Sequence, residues 1–196
     1  MSTYDETALL RDLAPLSPDS RIAFAALCAE RIFPAYELFA ERSGRGDPDG
    51  LASALAAVWL HLEGTPVDHA DSLLAHAQFV LDSDAAGASL PESGAAEAAA
   101  SAIAHAVHSL FEGSPLDASA AARRAYDAHV EFVIVRVGVG SPRDAMAHPV
   151  VQAELARQAR DLSDIASAQP GSSALWSRLR ARTVAETTAS VLWARL

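Results

Sequence analysis

The chain has 196 residues, of which 51% are hydrophobic and 20% are charged, and its formal net charge is −10. This balance is typical of a globular protein with one domain or at most two small ones. The negative charge disfavours nucleic acid as a partner, because phosphate backbones are bound by basic faces, and it favours a cationic protein surface.

The cysteine content and the first residues bear on the compartment. Cys28 is the only cysteine, so no disulfide can form within the chain, which is typical of a reducing compartment. The stretch MSTYDETALLRDL has acidic residues where a signal peptide would have basic ones. No uncharged apolar stretch approaches the roughly 20 residues that span a bilayer. We therefore expect a cytoplasmic protein with no membrane partner.

Helix signals recur through the first half of the chain. A capping residue followed by proline is a typical helix start, and it occurs three times: Ser17–Pro18, Asp47–Pro48 and Thr65–Pro66. Apolar residues then recur at spacings of three and four, which indicates amphipathic helices, as in Leu51, Leu55, Val58 and Leu62.

The second half continues the pattern. Residues 91–113 predict a helix that stops at Gly113, and residues 116–138 predict another. The end of the latter, EFVIVRV, also fits a strand, but a lone strand would have no partner, so we predict helix. A long helix follows Ser141–Pro142, and Pro149 offers a point of re-entry.

These elements predict an all-α fold. We expect a compact bundle of about seven to eight helices that forms a single domain over residues 1–196. The segments 82–94 and 167–173 are the longest predicted loops, and no fixed-period repeat indicates a solenoid.

The predicted C-terminal helix, 171–196, differs in charge from the rest of the chain. Residues 1–169 hold 24 acids and 11 arginines, a net charge of −13, whereas residues 170–196 sum to +3. Opposite charges attract, so we expect this helix to fold back on the body of the protein or onto a second subunit. The second alternative would make the protein a homodimer.

The stretch ALCAERIFPAYELFAERSG, residues 26–44, is an amphipathic helix with a proline in its middle. Pro34 has no N–H, and its ring clashes with the carbonyl four residues earlier. The sequence therefore predicts a kink or break near Phe33, with a second helix beginning at Pro34. The kink either wraps the helix around the core or lines a binding cleft.

Arg31 in this stretch shares a helix face with Phe24, Leu27 and Cys28. A buried arginine needs a partner, because an unpaired buried charge is very costly. A later helix supplies candidates on or beside an apolar stripe that contains Gln158; the candidates are Glu154, Gln158 and Asp161. The contact would be either a device that fixes packing or the floor of a ligand site.

Residues 24–59, FAALCAERIFPAYELFAERSGRGDPDGLASALAAVW, resemble the start of the YjaG-like bacterial family, domain of unknown function 416. The matching positions are Cys28, Glu30, Arg31, Pro34, Tyr36, Phe39, Gly44, Gly46 and Trp59, with Ala29 separating the cysteine from the glutamate. The resemblance extends over about residues 20–165 and follows the tail only loosely. It implies an all-helical fold and, since the family has no assigned function, no chemistry.

Catalytic and metal-binding patterns are mostly missing from the sequence. His105 and His108 lie three residues apart on a predicted helix, but they point away from its apolar side, so we expect a solvent face. Neither paired Glu-x-x-His motifs nor His-Glu-x-x-His occurs, and Cys28 on a buried stripe is a poor nucleophile. We predict no catalytic residue, no metal and no cofactor.

Two classes of function remain open. The first is a non-enzymatic module that binds another protein, in a specific form an antagonist or immunity-type protein for a basic partner. The second is a small-molecule binder, or an enzyme of unknown reaction, that uses the region of Arg31, Tyr36 and Gln158. The candidate binding residues are Arg31, Tyr36, His61 and Gln158. A cavity onto which Arg31, Tyr36 and His61 open would favour the second class, and a sealed arrangement would favour the first.

Overall fold

The computed structural model of the protein describes residues 3–85, 90–91, 93–167 and 173–189. Within these ranges the chain forms nine α-helices, one π-helical turn and no strand, so the predicted all-α class is confirmed. The helices are α1 (Glu6–Leu13), α2 (Pro18–Ser43), α3 (Pro48–Leu62), α4 (Ala70–Ala85), α5 (Ser93–Glu112), α6 (Pro115–Phe132), α7 (Pro142–Ala147), α8 (Pro149–Ala166) and α9 (Ser173–Ala189), and the π-helical turn is Val133–Val137.

Helix α2 is the centre of the bundle. It packs against α3, α5, α6, α8 and α9, and every residue from Ile22 to Ala29 is buried. The helix begins where Ser17 Oγ accepts a hydrogen bond from the Ser20 amide, and it ends at Gly44, whose φ of 65° is the left-handed conformation that glycine adopts without strain.

The predicted break, with a second helix beginning at Pro34, is wrong, because α2 continues through this residue to Ser43; the alternative, a kink within one helix, stays a prediction. The proline removes one backbone hydrogen bond, but burial holds the helix on both sides of it. The exposed fraction is 1% or less in four residues around the proline: Ile32, Ala35, Tyr36 and Phe39. Burying four side chains of this kind outweighs the roughly 3 kcal/mol that an interior proline costs.

Helices α5 and α6 pack closely on α2 and on each other because their inner faces consist largely of alanine. The buried alanines of α6 are Ala118, Ala121, Ala122, Ala125 and Ala128. Alanine is the best helix former and has little side-chain entropy to lose, so such faces can approach closely at low cost.

Several boundaries differ from the sequence predictions. Helix α1 was not anticipated, and α4 begins at Ala70 rather than beside Pro66. The segment EFVIVRV is helical as predicted, but its last five residues form the π-helical turn. The re-entry at Pro149 is confirmed. Residues 82–85 and 93–94, expected in a loop, are helical. In the first predicted loop, residues 86–89 and 92 lie outside the described residues. Most of the second predicted loop, 167–173, also lies outside them.

Helix α9 folds back on the body of the same chain, which is one of the two arrangements expected from the sequence. It packs against α2 and α3, and Trp176 and Leu179 are 2% and 1% exposed. Trp193 and Arg195 lie outside the described residues. In the part of the chain that the structure covers, no helix has the length and apolar character needed to cross a membrane.

Candidate functional site

Arg31 is buried at the contact between α2 and α8, and its exposed fraction is only 4%. Its Nε donates to Glu154 Oε1 at 3.1 Å, and its Nη1 donates to Asp161 Oδ2 at 2.5 Å. Its Nη2 lies 3.2 Å from Cys28 Sγ, one turn earlier on the same helix. Both carboxylates are fully buried, so the predicted buried ion pair is confirmed.

The geometry of α8 explains why these partners meet Arg31. Residues spaced by three and four share a face of a helix, and Glu154, Gln158 and Asp161 have this spacing. The buried face of α8 is Val151, Glu154, Gln158, Asp161 and Ile165. Glu154 and Asp161 therefore lie at the centre of the buried stripe rather than beside it.

Gln158 joins the network through Glu154 rather than through Arg31. Its Nε2 donates to Glu154 Oε1 at 2.9 Å and to the carbonyl of Ala122 on α6 at 3.0 Å. One glutamate oxygen thus accepts from both predicted polar residues, and the side chains of α8 connect α2 to α6.

Asp161 is shared with the C-terminal helix. Its Oδ1 accepts from Arg182 Nη2 at 2.6 Å, and Arg182 Nη1 donates to Asp164 Oδ2 at 2.6 Å. The two oxygens of the Asp161 carboxylate therefore accept from different arginines, Oδ2 from Arg31 and Oδ1 from Arg182 of α9. This arrangement explains in part why the positive helix folds onto the acidic body.

The second oxygen of Glu154 faces a histidine that the sequence analysis did not single out. His129 Nε2 and Arg157 Nη1 each lie 3.9 Å from Glu154 Oε2, and this oxygen is buried without a hydrogen bond among the described residues. His129 is 2% exposed, and its Nδ1 lies 2.7 Å from the Ala125 carbonyl. The sequence did contain a signal for its burial, because the spacing of three and four residues places His129 on the same face of α6 as the buried Ala122 and Ala125.

The charge states follow from burial and proximity. Burial raises the pKa of Glu154, but the nearby Arg31 and His129 outweigh it, so the net shift is downward and the carboxylate is ionised. Burial lowers the pKa of His129, so the imidazole is neutral at pH 7. Burial also raises the pKa of Cys28 to about 12. This thiol is fully buried and protonated, and such cysteines are usually inert.

The other two candidate residues, Tyr36 and His61, lie in different parts of the protein. Tyr36 is 1% exposed, and its hydroxyl accepts a hydrogen bond from the Asp47 amide at 3.1 Å, where the chain turns from α2 into α3. His61 lies half-buried in the last turn of α3. Of the four candidates, only Arg31 and Gln158 are brought together, through Glu154.

Helix α9 has a second attachment near the middle of α2. Glu30 Oε2 accepts from Trp59 Nε1 at 2.7 Å and lies 3.6 Å from Arg180 Nε. The Arg180 guanidinium also sits 5.4 Å from the centre of the Trp59 ring, a favourable cation–π geometry. The residues Glu30 and Trp59 therefore join α2, α3 and α9.

The histidines of α5 bind a carboxylate. His108 Nδ1 lies 2.8 Å from Asp117 Oδ2, and His105 Nδ1 lies 3.4 Å from Asp117 Oδ1. The two side chains are 54% and 34% exposed, in keeping with the expected solvent face. Among the residues described, no group of three or more His, Cys, Asp or Glu side chains is arranged to hold a metal ion.

A cleft with a volume of about 220 Å³ opens on the other side of α8. One wall is the segment before α1 together with α1 itself, and the other is the outer side of α8. Gln158 lines the cleft, with Leu155 and Leu162 beside it. These two leucines are half-buried at the cleft wall.

Comparison with known proteins gives a family and a fold. The model of the family described as "Protein of unknown function (DUF416)" matches residues 9–191. A crystal structure of a DUF416 family protein from Shewanella baltica OS155 is similar over 90% of this chain and 93% of that chain, with a TM-score of 0.79 and 20% identity. At this identity the likeness shows the fold alone. No curated protein matches the chain.

Proposed function

The chain belongs to the DUF416 family, whose function is unknown, and we propose that it is a non-enzymatic module that binds another protein with a basic surface. The observation that carries the proposal is the closure of the interior polar site. Arg31 and Tyr36 are 4% and 1% exposed, and their polar groups bond to other parts of the chain. A sealed group has no access to a substrate, so the outer surface is the better candidate for function.

The surface charge indicates the class of partner. Residues 37–84, which include α3 and most of α4, contain nine acids and two arginines, a net charge of −7. Glu63, Asp68 and Asp71 are exposed there, and so is Phe79, whose exposed fraction is 68%. Acidic surfaces speed the encounter with a cationic partner, and an exposed aromatic ring offers apolar contact area. This combination suits an antagonist or immunity-type protein.

Capture of a partner at two ionic strengths tests the proposal. The full chain would be immobilised and exposed to host extract at about 0.05 M and 0.3 M salt, a range over which screening of exposed charges rises strongly. We expect a basic protein to be retained in stoichiometric amount at low salt and in a smaller amount at high salt. A retained protein that is acidic, or capture that does not depend on salt, would contradict the proposal.

A charge-neutral variant and a charge-conserving variant sharpen this test. Glu63→Gln, Asp68→Asn and Asp71→Asn together remove three negative charges, whereas Glu63→Asp, Asp68→Glu and Asp71→Glu keep them at the same positions. Capture should weaken in the first triple variant and persist in the second. Equal capture by both would show that this acidic segment does not contribute to binding.

The competing proposal is a small-molecule binder or an enzyme that uses the region of Arg31, Tyr36 and Gln158. Gln158 is the member that favours it, because this residue lines an open cleft. The cleft of about 220 Å³ is smaller than typical ligand pockets of roughly 300–1,000 Å³. A metabolite from host extract that co-purifies with the chain and raises its melting temperature would support this alternative.

Two further expectations belong to the same proposal. We propose a cytoplasmic location, supported by a lone cysteine that is buried and forms no disulfide within the chain. A second copy of the chain remains a competing partner. Sedimentation equilibrium at several concentrations distinguishes a homodimer from a monomer that binds a different protein.

A further inference from the structure

The cleft between α1 and α8 contains a buried polar group with an unused acceptor. Gln158 is only 6% exposed, and its Nε2 is turned inward to Ala122 and Glu154. Its carbonyl oxygen Oε1 accepts no hydrogen bond from any described residue. This oxygen is also not one of the fully buried atoms without a partner, so part of its surface is accessible. Since Gln158 lines the cleft, Oε1 is the group that it presents there.

Two carboxylates lie on the opposite wall. Asp5 and Asp12 both line the cleft, and no basic residue does. Asp5 is fixed in place because its Oδ1 accepts from the Ala8 amide at 2.9 Å and caps α1. Asp12 contacts Arg11 at 3.0 Å, but this pair is 48% and 74% exposed, and exposed pairs of this kind exchange at little cost.

Apart from Thr3, the rest of the lining is mainly apolar and preformed. Leu9, Leu155 and Leu162 line it beside Tyr4, whose hydroxyl donates to the Ser119 carbonyl at 3.0 Å. The Tyr4 ring stacks on Tyr126 with 5.3 Å between the ring centres. The cleft therefore combines acceptors and negative charge with aliphatic walls, in a volume suited to one side chain.

We infer that this cleft receives the cationic end of a lysine or arginine side chain from the partner protein. The ammonium or guanidinium group would donate to Gln158 Oε1, and the carboxylates of Asp5 and Asp12 on the opposite wall would attract its positive charge. The aliphatic stem would lie along the leucines, as such stems do on apolar surfaces. The inference rests on the proposed function and names its anchor point.

Other acidic places are weaker candidates for the anchor. The segment 37–84 has more acids, but a number of acids alone does not form a site, and it serves long-range attraction. The surface cluster of His105, His108 and Asp117 has its carboxylate already paired with both imidazoles. The cleft is distinguished by the acceptor of a buried residue that nothing else in the described chain uses.

The first test is a nuclear magnetic resonance titration of the full chain with three probes. Nα-acetyl-lysine methylamide and Nα-acetyl-arginine methylamide carry the charge, and Nα-acetyl-norleucine methylamide has a similar stem without it. We expect the charged probes to shift the Gln158 side-chain amide and the backbone amides of α1 and α8. Equal shifts from the norleucine probe, or shifts confined to other helices, would overturn the inference.

Two variants on α8 provide the matched comparison. Ala159 is an exposed residue that lines the cleft, whereas Ala156 is an exposed residue of the same helix outside the lining. Ala159→Arg should fill the cleft with a resident cation and weaken the charged probes about tenfold or more, since like charges repel at close range. Ala156→Arg adds the same charge and should leave probe affinity unchanged. Equal effects of the two variants would contradict a site in the cleft.

Removing the wall charges gives an independent readout. Asp5→Asn keeps a good capping residue at the start of α1, so it removes charge without removing the cap. Combined with Asp12→Asn, it should weaken the charged probes by roughly tenfold, because each exposed ion pair is worth up to a factor of about five. Unchanged affinity in this double variant would remove the carboxylates from the proposal.

The source of the cation and the proposed function are tested separately. We expect a free amine, 1,5-diaminopentane, to bind no more tightly than the lysine probe. Binding more than tenfold tighter would indicate a small metabolite as the occupant and would overturn a protein side chain in this role. If Ala159→Arg captures a basic partner as well as Ala156→Arg does, the cleft is not the anchor while the proposed function stands. If neither these variants nor the wild type captures one, the proposed function fails.

Discussion

The two sides of α8 handle polar groups in opposite ways. On the side facing α2, the carboxylates of Glu154 and Asp161 are fully buried, and each bonds to Arg31. On the side facing α1, Asp5 and Asp12 lie across an open cleft from the unused carbonyl oxygen of Gln158. Strong polar residues in one helix therefore do not by themselves indicate a functional site. Whether the rest of the fold has already satisfied them decides which side can bind another molecule.

The largest effect should come from loosening α9, which closes one side of the buried network. The double variant Trp176→Ala, Leu179→Ala removes two nearly fully buried side chains. We expect a loss of about 5 kcal/mol or more in the free energy of unfolding, since large buried residues cost about 2–5 kcal/mol each when truncated. Arg178→Ala, an exposed change on the same helix, should lose less than about 0.5 kcal/mol in the same urea titration. A small loss in the double variant would show that α9 does not support the body.

The next effect is that of Arg31→Ala. The change leaves two buried carboxylates without their shared cation, and removing one member of a buried charged pair typically costs about 3–5 kcal/mol. An exposed arginine would cost well under about 1 kcal/mol. Urea titration of this variant beside Arg143→Ala, at an exposed position on α7, separates the two ranges. A loss within the lower range would mean that Arg31 does not fix the packing of α2 on α8.

Much of this buried side was readable from the sequence. Arg31 on an apolar face required a partner, and the spacing of Glu154, Gln158 and Asp161 supplied it. The family resemblance over residues 20–165 is confirmed by the match over residues 9–191. Arg182 was noted only as part of the positive tail, because its contact with Asp161 depends on how α9 crosses α8.

The open side was much less predictable. The cleft exists because α1 and the residues before it lie beside α8. This helix of 8 residues is amphipathic, but its local pattern does not show which distant helix it will lie against. The break expected at Pro34 was wrong for a related reason, since the local clash was certain but the burial that offsets it is a tertiary effect. Local chemistry predicts which groups need partners, whereas the packing of distant elements decides where a gap remains.

Acid should weaken the buried network around Glu154. The pKa of His129 is lowered from 6.5 and that of Glu154 from 4.5 in the folded chain. Each group therefore adds stability above its unfolded pKa, and that stability is lost as pH falls through the folded value. We expect the free energy of unfolding to decline below pH 6.5 and more steeply below pH 4.5. In Glu154→Gln the steeper part should be reduced, and an unchanged slope would contradict the assigned shift.

The smallest effect on stability should come from changes in the cleft wall. Ala159→Arg and Ala156→Arg alter exposed positions of α8, and such substitutions usually stay within about 0.5 kcal/mol of the wild type. Thermal unfolding of the two variants should therefore give nearly equal transitions. A substantial loss in Ala159→Arg alone would mean that the cleft is part of the packed structure and not a surface open to a partner.

A double-mutant cycle between Arg31 and Asp161 tests the central claim most directly, namely that the buried polar side of α8 is a structural joint. Arg31→Met, Asp161→Asn and the double variant would be compared with the wild type by urea titration. Residues in one buried ionic network typically show a coupling of about 0.5–3 kcal/mol. Because Arg31 and Asp161 are 4% and 0% exposed, we expect about 2 kcal/mol or more within that range. Additive losses, with a coupling below about 0.5 kcal/mol, would contradict the joint and return Arg31 to the list of candidate binding residues.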